Sequence, residues 1–434
     1  MSFKLGLIVA GFSVIAVGSI TGPEINAQVG SERLQLSFTH RVRIETTDRA
    51  VCLDADGGCG TSYLRNRMSI KARSFPTRHL ELTAQLTNEF RYYLVPESVD
   101  FSFHEVFVDL VYVRWDSVAN LPLALSVGRQ NLTFGEGFVV MDGTPLDGSR
   151  SIYFNAAGAD WTIAPGHSLS LVYVNQPVKD KYLPLIHDQD ATLMEQPEEA
   201  AIAYYSGSWK TSTLQAYFIH KDVESTADYP VGRQISCPGV RFQVPIASRI
   251  TLVGEGAYQF GTTGDADQRA YGAYGYIGYA TGWSMRLPKT ITVGGIHLTG
   301  DDITTKDDEG WEPLFGRWPK WSDSYIYTQI RERAVAYWTN LTSVFLGTTI
   351  PVATDLLLSL DYHHLTAPQR PDPQQDFPGG SGTHRGHLFI GKLSYRVDSH
   401  LSGHFIFERF APGDFYFADA DGYGWVRMEM MLRF

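Results

Sequence analysis

From residue 34 to the last residue the chain alternates apolar and polar side chains with a period of two. In the first run Leu34, Leu36, Phe38, Val42 and Ile44 share one face, and Arg33, Gln35, Ser37, Thr39, Arg41, Arg43 and Glu45 share the other. A second run sets Leu64, Met68, Ile70 and Ala72 against Arg65, Arg67, Ser69, Lys71 and Arg73. A third sets Leu80, Leu82, Ala84, Leu86 and Phe90 against Glu81, Thr83, Gln85, Thr87, Glu89 and Arg91. Such runs exceed the usual length of a strand in a soluble sheet. A ribbon with one apolar and one polar face needs hydrocarbon on one side and water on the other.

Punctuation between the runs comes in two kinds. Short turns are predicted near Pro76 to His79, Ser117 to Pro122, Ala164 to His167, Lys210 to Ser212, Pro245 to Ser248, Trp283 to Pro288, Ile350 to Thr354 and Asp398 to His400. Longer polar connections are predicted around 48–61, 95–104, 133–149, 176–198, 222–234, 262–268, 300–333, 367–384 and 411–420. These eight turns and nine loops join about eighteen strands. The fold class is therefore all-β: a single transmembrane antiparallel β-barrel with short periplasmic turns and long extracellular loops. In lipid the backbone must satisfy its own hydrogen bonds, so the sheet has to close. The last run, Val426, Met428, Met430, Leu432 and Phe434, ends the chain on an aromatic residue.

Residues 1–27 read as a signal peptide, with Lys4, an uncharged stretch from Leu5 to Ile20, and the small residue Ala27 at the expected cleavage point; residues 28–434 form the barrel. Export implies an oxidising compartment, in which Cys52 and Cys59 close a small disulfide ring, and Cys237 reads as a buried small hydrophobe. The formal net charge of −11 opposes nucleic-acid binding. No haem-attachment or cysteine metal spacing occurs, so no cofactor is expected. Tyr92 and Tyr93, Tyr204 and Tyr205, Tyr325 and Tyr327, and Tyr337 with Trp338 are expected at strand ends as interfacial anchors.

The chain resembles the alginate-export type of outer-membrane barrel. The resemblance rests on Gly128-Arg129-Gln130 followed by Phe134-Gly135-Glu136-Gly137, on Gly300-Asp301-Asp302 at the start of the longest loop, and on Pro412-Gly413-Asp414-Phe415-Tyr416 before the last strand. It implies an eighteen-stranded porin-like fold in the bacterial outer membrane, surrounded by lipid and lipopolysaccharide. It also implies passage of an anionic polysaccharide such as alginate, or of smaller anionic solutes, through a basic lumen. Apart from the resemblance, a periplasmic or surface protein is a further candidate partner.

The lumen-facing members of the first three runs supply Arg41, Arg43, Arg65, Arg67, Lys71, Arg73 and Arg91, seven cations against Glu45, Glu81 and Glu89. Guanidinium groups keep their charge and present a fork of donors to carboxylates. An anion-selective pore follows, with pairing of these charges into a neutral ladder as its alternative. The resemblance adds Arg129 to the pore-lining set, although strict parity from Val127 sends it to lipid unless Gly128 forms a bulge. Lys392, Arg396, Arg427 and Arg433 are candidates for the opposite wall. The 300–333 loop joins an acidic cluster to Trp311, Phe315, Trp318 and Trp321 and is expected to plug the pore or pack on its rim. No GxSxG or HExxH motif is present, and His363 and His364 fall on opposite faces, so the reading is not an enzyme. A barrel used as scaffold for a surface complex, or an outer-membrane hydrolase, is the competing class.

Overall fold

The computed structural model describes residues 33–103, 105–141, 153–316, 321–333 and 337–434. The expected signal peptide lies outside the described residues. The alternating runs become β1 (Leu34–Thr47), β2 (Thr61–Thr77), β3 (Leu80–Val95), β4 (Val106–Trp115), β5 (Leu123–Gln130) and β6 (Phe154–Ala164). There follow β7 (His167–Gln176), the two-residue β8 (Leu185–Ile186), β9 (Glu198–Trp209), β10 (Ser212–Val223), β11 (Arg233–Ala247), β12 (Ile250–Thr263) and β13 (Ala266–Ala280). The chain continues through β14 (Thr290–Leu298), the short helix α1 (Tyr325–Ile330), β15 (Leu341–Ala353), β16 (Leu356–Thr366), β17 (His384–Arg396), β18 (Leu401–Pro412) and β19 (Tyr423–Arg433).

Every strand but β8 pairs antiparallel with its neighbours around a ring, β7 passing directly to β9. β19 returns to β1, from Thr39 opposite Arg433 to Thr47 opposite Trp425. The last residue completes the seam, since the Phe38 and Phe434 amides donate to each other's carbonyls at 2.7 and 2.8 Å. The result is a closed eighteen-stranded antiparallel barrel. The β8 pair sits outside this ring, laid from an outer loop against Val106 and Phe107 of β4.

All eight predicted turns fall between the expected strands, and eight of the nine predicted loops do as well. The exception is 262–268: β12 and β13 run on to a two-residue connection, in which Gly264 has φ +58°. Its polar composition reflects an extended hairpin tip rather than a long loop. Cys52 and Cys59 are bonded to each other in the first outer loop, and Cys237 is free and buried.

The outward face is apolar as the alternation demands, with Ile70, Val127 and Val344 exposed and available to hydrocarbon. The inward face divides in two. From β1 to β4 it is polar and charged. From β7 to β15 it carries Val172, Val174, Ile202, Ile219, Ile235, Ile296 and Phe345, all buried in one cluster with residues of the inserted loops. The molecule's hydrophobic core therefore lies inside the barrel, between the wall and its own loops.

Candidate functional site

The charged wall is built from consecutive ladders. Register pairs Arg41 with Arg67 and Arg43 with Arg65 across β1 and β2, and Arg65 with Arg91 and Arg67 with Glu89 across β2 and β3. Like charges directly opposite one another repel, so carboxylates must intervene. Glu89 is the hub: it accepts from Arg41 at 3.1 Å, from Arg65 at 2.7 Å and from Arg67 at 2.9 Å. Arg67 reaches Asp109 at 2.8 Å as well. Arg43 donates to Glu429 at 2.5 Å, and Arg427 reaches Glu45 at 3.4 Å and Asp323 at 3.1 Å. Arg73 forms a two-pronged pair with Glu81 near the tight-turn end, at 3.0 and 3.1 Å. Arg91 lies 4.8 Å over the Tyr63 ring and donates to the Tyr93 hydroxyl at 3.3 Å. Lys71 occupies the same polar face of β2, opposite Ser37 and Gln85.

Asp109 is missed by simple alternation because β4 carries an extra residue at that point: Leu86 faces Val108 while Gln85 faces Leu110. The bulge turns the carboxylate inward to Arg67, Gln85 and Thr87, each at 2.8 Å. Arg129 is also turned inward. Gly128 has φ +128°, and a Cβ there would stand 2.2 Å from the Val111 carbonyl oxygen, so only glycine fits. The Arg129 guanidinium then grips Asp180 of the loop after β7 through two 2.8 Å hydrogen bonds and stacks 3.8 Å over Tyr153. Among the remaining candidates, Arg433 donates to Ser402 at an exposed position, Arg396 borders a recess of about 280 Å³ at the tight-turn end, and Lys392 stands opposite Ser359 and Ile406 in the sheet.

Opposite this wall, two loops fold into the barrel. The Phe134-Gly135-Glu136-Gly137 segment brings Phe134 into stacking with Tyr204 at 4.4 Å and Glu136 to Arg241 at 3.0 Å and Tyr276 at 2.7 Å. Behind it Glu255 accepts from Tyr217 at 3.1 Å and Tyr274 at 2.9 Å. The long connection between β14 and β15 supplies the second insert. Phe315 pairs with Val139 and Val140 of the first loop, Trp311 stacks on Phe138 at 5.2 Å, and Gly272 of β13 leaves room for the Trp311 ring.

Inner-wall polar groups hold this insert by its backbone. The Gln259 amide both donates to the Glu312 carbonyl, at 2.6 Å, and accepts from its N–H, at 3.0 Å. Gln268 donates to Gly310 and Lys221 to Leu314, each at 2.9 Å. The buried Glu312 carboxylate lies 3.6 Å from both Lys221 and Arg233 and accepts from Tyr337. Burial alone would raise this carboxyl, but the two cations and the tyrosine hold it below its ordinary value.

Farther along, α1 reaches the charged wall: Tyr327 meets the Tyr63 hydroxyl at 3.2 Å and Thr328 donates to the Ala50 carbonyl at 3.0 Å. Tyr325 is held by Arg385 at 2.7 Å and Tyr416 at 3.0 Å. Tyr325, Tyr327, Tyr337 and Trp338 are thus not interfacial anchors: they belong to an inserted loop, which their spacing near a strand end disguised. Tyr204 likewise faces the lumen. Sequence reasoning also missed Lys221, Arg241, Glu255, Gln259 and Gln268, although strand parity was a usable signal for each.

The sequence model of the alginate export family matches residues 32–426. A sequence search of curated proteins finds no match. Among solved structures, the chain is similar to Pseudomonas aeruginosa OpdQ, with a TM-score of 0.59 at 11% identity over 92% of this chain and 97% of that one. It is similar to OccK11 (OpdR) of the same organism, with a TM-score of 0.57 at 12% identity over 92% and 95% of the two chains. A structure of Pseudomonas aeruginosa OpdK with vanillate also aligns, with a TM-score of 0.57 at 12% identity over 92% and 98%.

Proposed function

From the premise that the chain belongs to the alginate export family and is a bacterial outer-membrane channel barrel, we propose that it passes small carboxylate-bearing solutes along its guanidinium-rich wall. The supporting observation is the sharing of Glu89 by Arg41, Arg65 and Arg67. Glu89 is shared by three guanidiniums, Asp109 adds a second partner to Arg67, and Glu45 stands 4.0 Å from Arg65, so cations crowd this stretch of wall. Arg41, Arg43, Arg65, Arg67, Lys71, Arg73 and Arg91 are the pore-lining set in this reading, and Arg129 acts beside them by tethering an outer loop. Several weak cationic positions in series attract an anion without trapping it.

The inserted loops favour a small solute over a polymer, since a polysaccharide must thread past the packed Phe138 and Trp311 rings. The crystallised complex of the OpdK barrel with vanillate, an aromatic carboxylate, points the same way. The work is electrostatic, with no bond made or broken. Reversal potentials of the purified barrel in a planar bilayer under a salt gradient test the reading: anion preference, with partial block by vanillate, is the expected result, and cation preference overturns it. The inserted loops also favour a second reading, a closed barrel that serves as a scaffold, for which the same bilayer would show no conductance at all.

A further inference from the structure

Among the described residues one set of three histidines brings its ring nitrogens together: His364 of β16 with His384 and His387 of β17, one nitrogen of each within 4.8 Å of the other two. The three rings form a closed triangle, with centroids 5.0, 5.1 and 4.9 Å apart. The arrangement is fixed by the sheet. His364 faces His387 directly, and Thr366 faces His384, with Arg385 taken up in an irregularity between them. That irregularity matters, because two residues three apart on a regular strand point to opposite faces. It sends Arg385 inward to Tyr325 and leaves both His384 and His387 outward beside His364. His363 points the other way, buried against Ser343 at 3.1 Å.

The triangle lies where the outer loop after β16 begins, next to the Ala367 to Thr383 backbone hydrogen bond of 2.7 Å. Tyr362 and Phe389 flank it on the outer face of the barrel. It is therefore separate from the lumen and from every residue assigned to solute passage.

Three of its nitrogens are telling. The buried Nε2 of His384 has no hydrogen-bond partner. His364 Nδ1 and His387 Nδ1 approach to 3.5 Å, while the Tyr362 hydroxyl bonds His387 Nδ1 at 2.7 Å and fixes that ring. Three imidazoles packed so closely bring one ring nitrogen of each together, an arrangement that a shared cation suits. In a tetrahedral zinc site the nitrogens stand about 3.3 Å apart, so small ring rotations of side chains whose nitrogens already lie within 4.8 Å of one another complete the geometry. Imidazole-only ligation suits Zn²⁺, Cu²⁺ and Ni²⁺ rather than Ca²⁺ or Mg²⁺.

We propose that His364, His384 and His387 form a surface site for a divalent transition-metal ion at the outer rim of the barrel, with one coordination position left open. Tyr362 is a positioning residue for His387. The test is titration of Co²⁺ into tag-free purified full-length barrel, followed by its visible absorption. The expected result is an intensified low-symmetry Co²⁺ spectrum that saturates at one ion per barrel and is displaced by Zn²⁺. The double variant H384A/H387A should weaken binding by tenfold or more, on the order of what even indirect ligand support contributes, and H363A should leave it intact. A wild-type spectrum that stays that of the hydrated ion, or a double variant that binds as the parent does, overturns the site. Should the variants fail to fold, paramagnetic resonance of Cu²⁺ on the wild-type barrel decides: nitrogen hyperfine structure from several imidazoles supports the proposal, and an oxygen-only signal overturns it.

Discussion

Glu89 is a hub of the charged wall. Its two oxygens accept from Arg41, Arg65 and Arg67, and all four side chains are buried among one another. Breaking a buried ion pair from one side leaves charges that neither water nor a partner compensates, at a cost of about 3 kcal/mol or more. Glu89→Gln is therefore expected to lower stability by that amount, read as an earlier loss of the heat-resistant compact band on gels. In the folded fraction it removes a negative charge from beside three positive ones. The local potential then changes by about 0.5 to 1 kcal/mol per unit charge, which raises anion permeability and lowers cation permeability by roughly two- to fivefold each. A variant with unchanged stability and selectivity would show that Glu89 is not the hub. Parity alone made the arginines of this wall legible in the sequence, because β1 to β3 alternate without interruption. Asp109 and Arg129 were not legible as partners, since each depends on a backbone irregularity, a bulge in β4 and the positive φ of Gly128, that alternation cannot express.

Among the elements, the insert between β14 and β15 is the one that decides whether the lumen is open. Its first part is secured by Gln259, Gln268 and Lys221 bonding its backbone, and by the Glu312 carboxylate between Lys221 and Arg233. Glu312 is held below its ordinary value of 4.5, burial being outweighed by Lys221, Arg233 and Tyr337. A carboxyl depressed in the folded state contributes its anchoring fully above the ordinary value and loses it as pH falls through the depressed one. Channel behaviour should therefore stay constant from neutral pH down to the ordinary carboxyl value of about 4.5 and change only below it, where the loop loosens and conductance fluctuations grow. Glu312→Gln should show that loosened behaviour already at neutral pH. A variant as quiet as the parent at both pH values would remove Glu312 from the anchor. That this loop plugs the pore or packs on its rim was legible from its tryptophans, but which wall residues grip it was not, because that is set by strands far apart in the chain. The three segments that carry the family resemblance meet at these inserts: Glu136 on Arg241, Gly300 to Asp302 at the base of the longest loop, and Tyr416 on Tyr325.

At the scale of the whole molecule, barrel closure and loop packing are separable. Eighteen strands close through backbone pairing that ends on Phe434, and that pairing needs nothing from the lumen. The apolar inner residues of β7 to β15 are different, for they are covered by the inserts rather than by lipid or water. A barrel of this strand number leaves an aqueous channel when its interior is unfilled. Deleting residues 300–333 should thus preserve the folded barrel, seen as an unchanged β-sheet circular dichroism spectrum and heat-modifiable mobility, while raising single-channel conductance severalfold. Newly wetted Ile219, Ile235 and Phe345 should lower its thermal stability and bind a hydrophobic dye. Anion preference should persist in the deleted barrel if the β1 to β3 arginines set it, because none of them lies in the removed segment. Selectivity that vanishes with the loop would instead assign the filter to the loop. An unchanged conductance would place the narrowest point at the Phe134 to Gly137 segment, which the deletion leaves in place.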